Sequence, residues 1–385
     1  MSRARTATGM ALALALLITL MAFTSSSGVG LAAERKPKPP ITTTVRKLAP
    51  GVKLTKIVDR RIPRRTYILA VDPTRAAIQV VLSNDVIPGL ERTSSMARRL
   101  HAIAAVNGDF GFSSGKLVHP MAIDGQLVQT SLNLGASFAM AADGEFRIGR
   151  PDVSASVLEV DTGQTLPINA WNAGRPNVGD LDAYTSLGGA TFGPPRNTCW
   201  ASLSPTSEPS PGPEGVVRDY AVSEATCTTG APSAGEGVVL AALPGTDEAT
   251  ELRTLTPGET MSLTWSFGWP GIVQAIGGSP VLVSGGKNVL GPCTTSVCNR
   301  NPRTAVAVRS DGTILLVVVD GRQTGSVGMS LFELTSFLIK RGAVQAMNLD
   351  GGGSSVMVAK GDVVSRPVGG HERSVSSAIA VLPLP

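Results

Sequence analysis

The sequence predicts an α+β fold: a strand-rich mixed sheet domain with few helices and one strand–helix–strand unit near the C-terminus. Three observations carry that prediction. Alternating or continuous β-type runs recur at 66–71, 77–82, 103–106, 216–222, 237–242, 313–319 and 378–382. Only two segments combine helical periodicity with stop or start signals. Aromatics make up 4% of the chain while glycine supplies 43 residues, which favours small, closely packed strands joined by many turns.

From the start of the chain, Arg3 and Arg5 precede an apolar run from Met10 to Phe23 that is short for a membrane span. Leu31-Ala32-Ala33 follows as a cleavage site, so 1–33 reads as an export signal, with an uncleaved N-terminal anchor as the competing reading. Residues 34–65 read as a linker and N-terminal extension, opening on a charged, proline-rich spacer from Glu34 to Pro40. The domain itself is placed at 66–385, with no membrane span expected after signal cleavage. Formal net charge is +5, and removing Arg3 and Arg5 with the acid-free signal leaves +3. That excess is too small to imply a nucleic-acid partner. Arg60, Arg61, Arg64 and Arg65 form the one dense basic patch, read as solvated surface or as a contact for an anionic envelope polymer.

The first helix is expected near 94–101, with Met96, Ala97 and Leu100 on one face. The stretch 200–215 is dense in Pro, Ser and Gly and reads as an inserted surface loop. Cys199, Cys227, Cys293 and Cys298 suit two disulfides in an oxidising compartment. Cys199–Cys227 and Cys293–Cys298 are favoured because each pair is nearest in sequence. The spacing does not suit a zinc ribbon, and no motif requires a metal or a cofactor. The second helix, 330–341, is well marked. Ser330 and Glu333 make a capping box, Leu331, Leu334, Phe337 and Leu338 form the apolar stripe, and Gly342 ends it.

That helix lies between β-runs 313–319 and 344–349, which end at Asp320 and Asp350. If both strands run parallel in one sheet, the two carboxylates share an edge, where ligands bind. Asp350 is followed by Gly351, Gly352, Gly353, Ser354 and Ser355. Glycines permit positive φ and bring backbone amides close to an oxyanion, so this run reads as a reaction centre or as a tight turn.

Four further segments fall in order with it: Ala105-Val106-Asn107-Gly108-Asp109-Phe110, Ala275-Ile276-Gly277-Gly278-Ser279-Pro280-Val281-Leu282, Pro302-Arg303-Thr304-Ala305-Val306-Ala307, and Val318-Val319-Asp320-Gly321-Arg322. Together, over roughly 103–382, they resemble the phosphodiester glycosidase family. The resemblance implies cleavage of a sugar 1-phosphodiester, from a sugar-phosphate or envelope glycan, at the anomeric centre of an extracytoplasmic substrate. The residue chemistry suits that task. Arg303 and Arg322 offer planar forks to phosphate oxygens, and Thr304, Gly351, Gly352 and Ser354 add neutral donors. Asp350, with Asp320 and Asp109 as partners, supplies the carboxylate that an oxocarbenium-like centre needs. Glu372 and Arg373 either line the site or close the last strand. His101, His119 and His371 match no metal or triad spacing and are read as structural or surface groups. Metal-assisted phosphodiester hydrolysis by the three aspartates, and a non-catalytic glycan-binding protein, are the competing functions.

Overall fold

Small β-branched and aliphatic residues, alternating inward and outward, build two large sheets, two five-stranded ones and a two-stranded one among the described residues of the computed structural model. It describes residues 40–130, 135–188, 197–227 and 233–384. The expected signal 1–33 and residues 34–39 of the expected linker lie outside the described residues. No helix among the described residues is long and apolar enough to cross a membrane.

The eight-stranded sheet carries the C-terminal unit. In spatial order it runs Ile41–Ala49, Val52–Asp59, Arg64–Val71, Ile314–Val319, Arg303–Arg309, Ala343–Asn348, Val281–Ser284 and Lys287–Asn288. One face, with Leu69, Val306, Leu316 and Met347, packs into the main core. The other, with Ala305, Ala307, Leu315, Val317 and Ala346, takes the helix Leu331–Ile339. Its Leu331, Leu334 and Leu338 are buried there, each worth roughly 1.5–3 kcal/mol relative to exposure. The capping box forms as expected, with Glu333 N donating to Ser330 Oγ at 3.1 Å and Ser330 N to Glu333 Oε2 at 2.9 Å.

The strands flanking this helix run parallel but are not neighbours. Arg303–Arg309 lies between them, antiparallel to both. Consequently the carboxyl ends of Ile314–Val319 and Ala343–Asn348 share one sheet edge with the amino end of Arg303–Arg309. A five-stranded sheet, containing Ala104–Asn107, Met357–Ala359 and Ser377–Pro383, packs against the same core. A nine-stranded sheet with its own core holds the middle of the chain, and its one parallel pair, Ala170–Trp171 with Leu181–Tyr184, makes the architecture mixed.

Two boundaries move. The expected extension 34–65 is structured from Pro40 onward: Ile41–Ala49 and Val52–Asp59 form a hairpin on the sheet edge, anchored by buried Leu48, Val52 and Leu54. The polar side chains between these anchors face solvent, which gives the segment the composition of a spacer. Likewise half of the expected loop 200–215 is strand. Cys199–Pro205 pairs with Val216–Thr226, and its Ala201 and Leu203 point into the core while serines alternate outward. Cys199 is bonded to Cys227 and Cys293 to Cys298.

Candidate active site

Asn107, fully buried at the end of Ala104–Asn107, fastens this strand to the edge of the larger sheet. Its Nδ2 donates to the Asp350 carbonyl at 2.7 Å. Its Oδ1 accepts from the Thr304 hydroxyl at 2.7 Å and from the Val356 amide at 3.1 Å. The Asp350 amide returns a bond to the Gly108 carbonyl at 3.1 Å. Stranding any of these buried groups costs about 1–3 kcal/mol, so the position of Asp350 relative to Asp109 is held from both sides.

Asp109 lies two residues beyond Asn107 and is 1% exposed. Its amide donates to Ser377 Oγ at 3.1 Å. Oδ1 accepts from the Phe110 amide at 2.7 Å and stands 2.6 Å from His119 Nδ1, while Oδ2 accepts from the His119 amide at 3.2 Å. Burial pushes the Asp109 carboxyl above the usual carboxylate range, against the pull of His119 and of the two amides. The pair fits against strand Ile272–Gly278 only because that strand presents Gly277. A Cβ there would fall 2.1 Å from His119 Cβ and 2.7 Å from Asp109 Oδ2.

Asp350 is half-buried at the mouth of this arrangement. Burial raises its pKa to about 6, the Ser354 hydroxyl bond lowers it, the charge of Asp109 raises it, and the Gly351 amide and Arg373 lower it. The glycine run then passes beneath two exposed guanidinium groups. At Gly352, where φ is +60°, a Cβ would stand 3.4 Å from the Arg322 Nη atoms. At Gly353 it would stand 2.6 Å from an Arg373 Nη atom, so a side chain there would displace the cation. Arg322 is steadied by Asn301 Oδ1, which accepts from Nε at 3.1 Å and from Nη2 at 2.9 Å. A carboxyl that titrates near pH 6 thus lies beside a buried Asp–His pair, with two phosphate-sized forks over the adjacent glycines.

Asp109, Asp350, Gly351, Gly352, Ser354 and Arg322, all singled out in the sequence, therefore come together. Three other candidates take different places. Arg303 is 3% exposed and spends its donors on backbone: Nε on the Met329 carbonyl at 2.9 Å, Nη2 on the Val297 and Asn299 carbonyls. Burial, then the neighbouring Arg322, holds its pKa down to about 10. It orders the loop before its strand instead of offering a fork to phosphate. Thr304 is buried and its hydroxyl is spent on Asn107. Asp320 shares the sheet edge, as the parallel strands require, but it turns to other partners. Its Oδ2 accepts from the Tyr67 hydroxyl at 3.3 Å and Oδ1 from the Arg366 amide at 2.9 Å. Burial raises its pKa to about 6, against the Arg366 amide and the charge of Arg65.

His119, Asn107 and Arg373 are the groups that sequence reasoning left aside or undecided. Asn107 sits inside a quoted motif, two residues before Asp109, and Arg373 is the residue left open between lining the site and closing the last strand. His119 had no signal, because it meets Asp109 through a loop with no characteristic spacing. Glu372 closes a helix: its Oε2 accepts from the Ser94 amide at 3.0 Å, at the start of Thr93–Arg99. Among the described residues, no three His, Cys, Asp or Glu side chains stand grouped as metal ligands.

Fold and site together define a strand-rich α+β protein in which carboxylates at strand ends meet exposed arginines over a glycine turn. Residues 212–382 match the family model described as phosphodiester glycosidase. A stretch of 65 residues is 46% identical to the N-acetylglucosamine-1-phosphodiester alpha-N-acetylglucosaminidase of Bos taurus, covering 17% of this chain and 12% of that protein. The chain is similar in fold to a hypothetical protein from Synechocystis, with a TM-score of 0.70 at 20% identity over 90% of this chain and 64% of the other. It is also similar to a putative exported protein from Burkholderia pseudomallei, with a TM-score of 0.61 at 26% identity over 83% of this chain and 74% of the other.

Proposed function

We propose that this chain is an exported hydrolase that cleaves a sugar 1-phosphodiester, of the N-acetylglucosamine-α-phosphodiester kind, at the anomeric bond. The observation that carries the reading is the convergence of Asp350, the Asp109–His119 pair, Arg322 and Arg373 on one glycine turn. The match of residues 212–382 to the phosphodiester glycosidase model supports the reaction class, and the bovine relative's own activity supports the choice of sugar phosphodiester. Two disulfides and the likeness to an exported protein support an extracytoplasmic place of work.

In this reading the C1–O bond breaks, its electron pair stays on the phosphate oxygen, and a water oxygen ends on C1. The departing phosphate monoester is already a tolerable leaving group, so catalysis rests on stabilising the charge that grows on it. Arg322 and Arg373 supply that stabilisation from exposed positions over Gly352 and Gly353. Asp350 is the carboxylate presented to the anomeric carbon, ionised above its pKa of about 6. Burial keeps its pKa high, and the negative charge of Asp109, held by His119, adds to that.

Hydrolysis of an N-acetylglucosamine α-phosphodiester in ¹⁸O water tests the reading. Label is expected in the anomeric hydroxyl of the released sugar. Label in the phosphate instead would mean P–O cleavage and a phosphodiesterase.

A further inference from the structure

The run Arg60–Arg65 is divided by the fold. Arg61 pairs with Asp59, Arg64 with Glu333, and Arg60 donates to Thr42 Oγ1. Arg65 has no ion-pair partner among the described residues, and neither have Arg322, Arg366 and Arg373. These four gather about one turn, residues 320–326, and its neighbour, the glycine run. Arg373 and Arg322 lie over Gly353 and Gly352. Arg366 is tied to the turn by Gln323 Nε2, which donates to its carbonyl at 2.7 Å. Arg65 lies on Gly325, where a Cβ would fall 2.2 Å from its Nη2.

The charges do not cancel locally. Asp320 is the carboxylate on which both Arg65 and Arg366 act, and its oxygens are already taken by the Tyr67 hydroxyl and the Arg366 amide. It is also 2% exposed, so it sits beneath the cations and does not compete with a ligand above them. From the strand of Arg65 to the strand that ends beside Asp350 is three strand spacings, about 14 Å. One phosphodiester anion uses the forks of Arg322 and Arg373. Two more guanidinium groups then remain along the same edge, and a span of about 14 Å exceeds the Debye length of about 8–10 Å, so they suit a second anionic group more than the first.

We propose that the aglycone carries a further anionic group and that Arg65 and Arg366 bind it, so that the substrate is a phosphodiester-linked oligomer with phosphate in successive repeats. This rests on the reading of the site as that of a phosphodiester glycosidase. A sugar phosphodiester of a neutral alcohol leaves half of the strip unused. An oligomer with repeating phosphates lies along all of it, each phosphate taking one or two planar forks.

Fluorescence anisotropy of the disulfide-intact protein tests the proposal with two labelled probes, glycerol 3-phosphate and a glycerol phosphate trimer. The trimer is expected to bind at least about tenfold more tightly, with a steeper loss of affinity in salt. Arg366→Gln and Arg65→Gln are each expected to weaken the trimer about five- to tenfold. Arg366 is exposed, so its variant reads binding even if Arg65→Gln misfolds. Equal affinity for the two probes, or trimer binding indifferent to both substitutions, overturns the proposal. So does a thymidine oligonucleotide of equal charge that competes as well as the trimer, since the strip would then be a general polyanion surface. Failure of the catalytic reading looks different: trimer binding as described, with no turnover of any sugar 1-phosphodiester.

Discussion

His119 Nδ1 stands 2.6 Å from Asp109 Oδ1 while the His119 amide donates to Oδ2, so one carboxylate fixes both the ring and the main chain of the same residue. Removing either partner leaves the other buried and uncompensated, which costs about 3–5 kcal/mol. Asp109→Ala is therefore expected to lower Tm steeply. Asp109→Asn keeps the Oδ1 acceptor for the Phe110 amide and His119 Nδ1 but sets an NH2 against the His119 amide in place of Oδ2, so it costs less than the alanine variant without being neutral. It also deletes a negative charge that raises the Asp350 pKa. The acid limb of the pH–rate profile should then move to lower pH, a shift that a purely structural role for Asp109 would not produce.

For the unaltered protein, that limb should lie near pH 6. Asp350 has its pKa raised to about 6, chiefly by burial, so the ionised form is lost as pH falls through that value. Turnover should drop about tenfold per pH unit below it, because the phosphate leaving group needs no compensating acid. Asp350→Asn should lower kcat by about 10²–10⁴-fold while Ser354 still has an acceptor to bond. A flat profile from pH 4 to 8 would take Asp350 out of the chemistry.

Much of this site was readable in the chain before folding, for local reasons. The run Gly351–Gly353 announces a positive φ and a close approach, and the structure uses both: φ +60° at Gly352 and the Arg373 guanidinium against Gly353. The capped helix Leu331–Ile339 implied that Asp320 and Asp350 share an edge, and they do, with one antiparallel strand between. What local pattern cannot reveal is which way a side chain turns once there. Asp320 turns to Tyr67, a strand 253 residues away in sequence. Arg303 turns back onto the carbonyls of a loop whose path is closed by Cys293–Cys298. The edge hairpin from Ile41 to Asp59 was hidden differently, because a half-exposed strand buries so few residues that its composition mimics a linker.

The division among the arginines gives a contrast of its own. Arg322 and Arg373 are exposed and hold no carboxylate, whereas Arg303 is buried among three carbonyls. Arg322→Ala and Arg373→Ala should each lower kcat/KM about 10–100-fold, or about 1.4–2.7 kcal/mol of transition-state stabilisation, with Tm nearly unchanged. Arg303→Ala should instead lower Tm strongly, since buried bonds to a charged group are worth about 1.5–3 kcal/mol each. Thermal melts beside steady-state kinetics separate the two patterns. A large kcat loss at unchanged Tm in Arg303→Ala would return that residue to the phosphate.

The strand Leu181–Tyr184, in the nine-stranded sheet, carries a buried carboxyl of its own. Asp182 is 3% exposed, its Oδ2 accepts from the Tyr184 hydroxyl at 3.4 Å, and its Oδ1 has no hydrogen-bond partner among the described residues. Burial, and then the charge of Asp180, raises its pKa from 3.8 to about 7. Between those values the folded protein keeps a proton that the unfolded chain has released, so stability falls as pH rises from about 4 to 7. At about 1.36 kcal/mol per unit the loss approaches roughly 4 kcal/mol once Asp182 is ionised. Asp182→Asn resembles the protonated carboxyl and titrates nowhere in that window. Its Tm should match the unaltered protein at pH 4 and exceed it by several degrees at pH 8. An equal difference at both pH values would mean that the carboxyl ionises in the folded state at no cost.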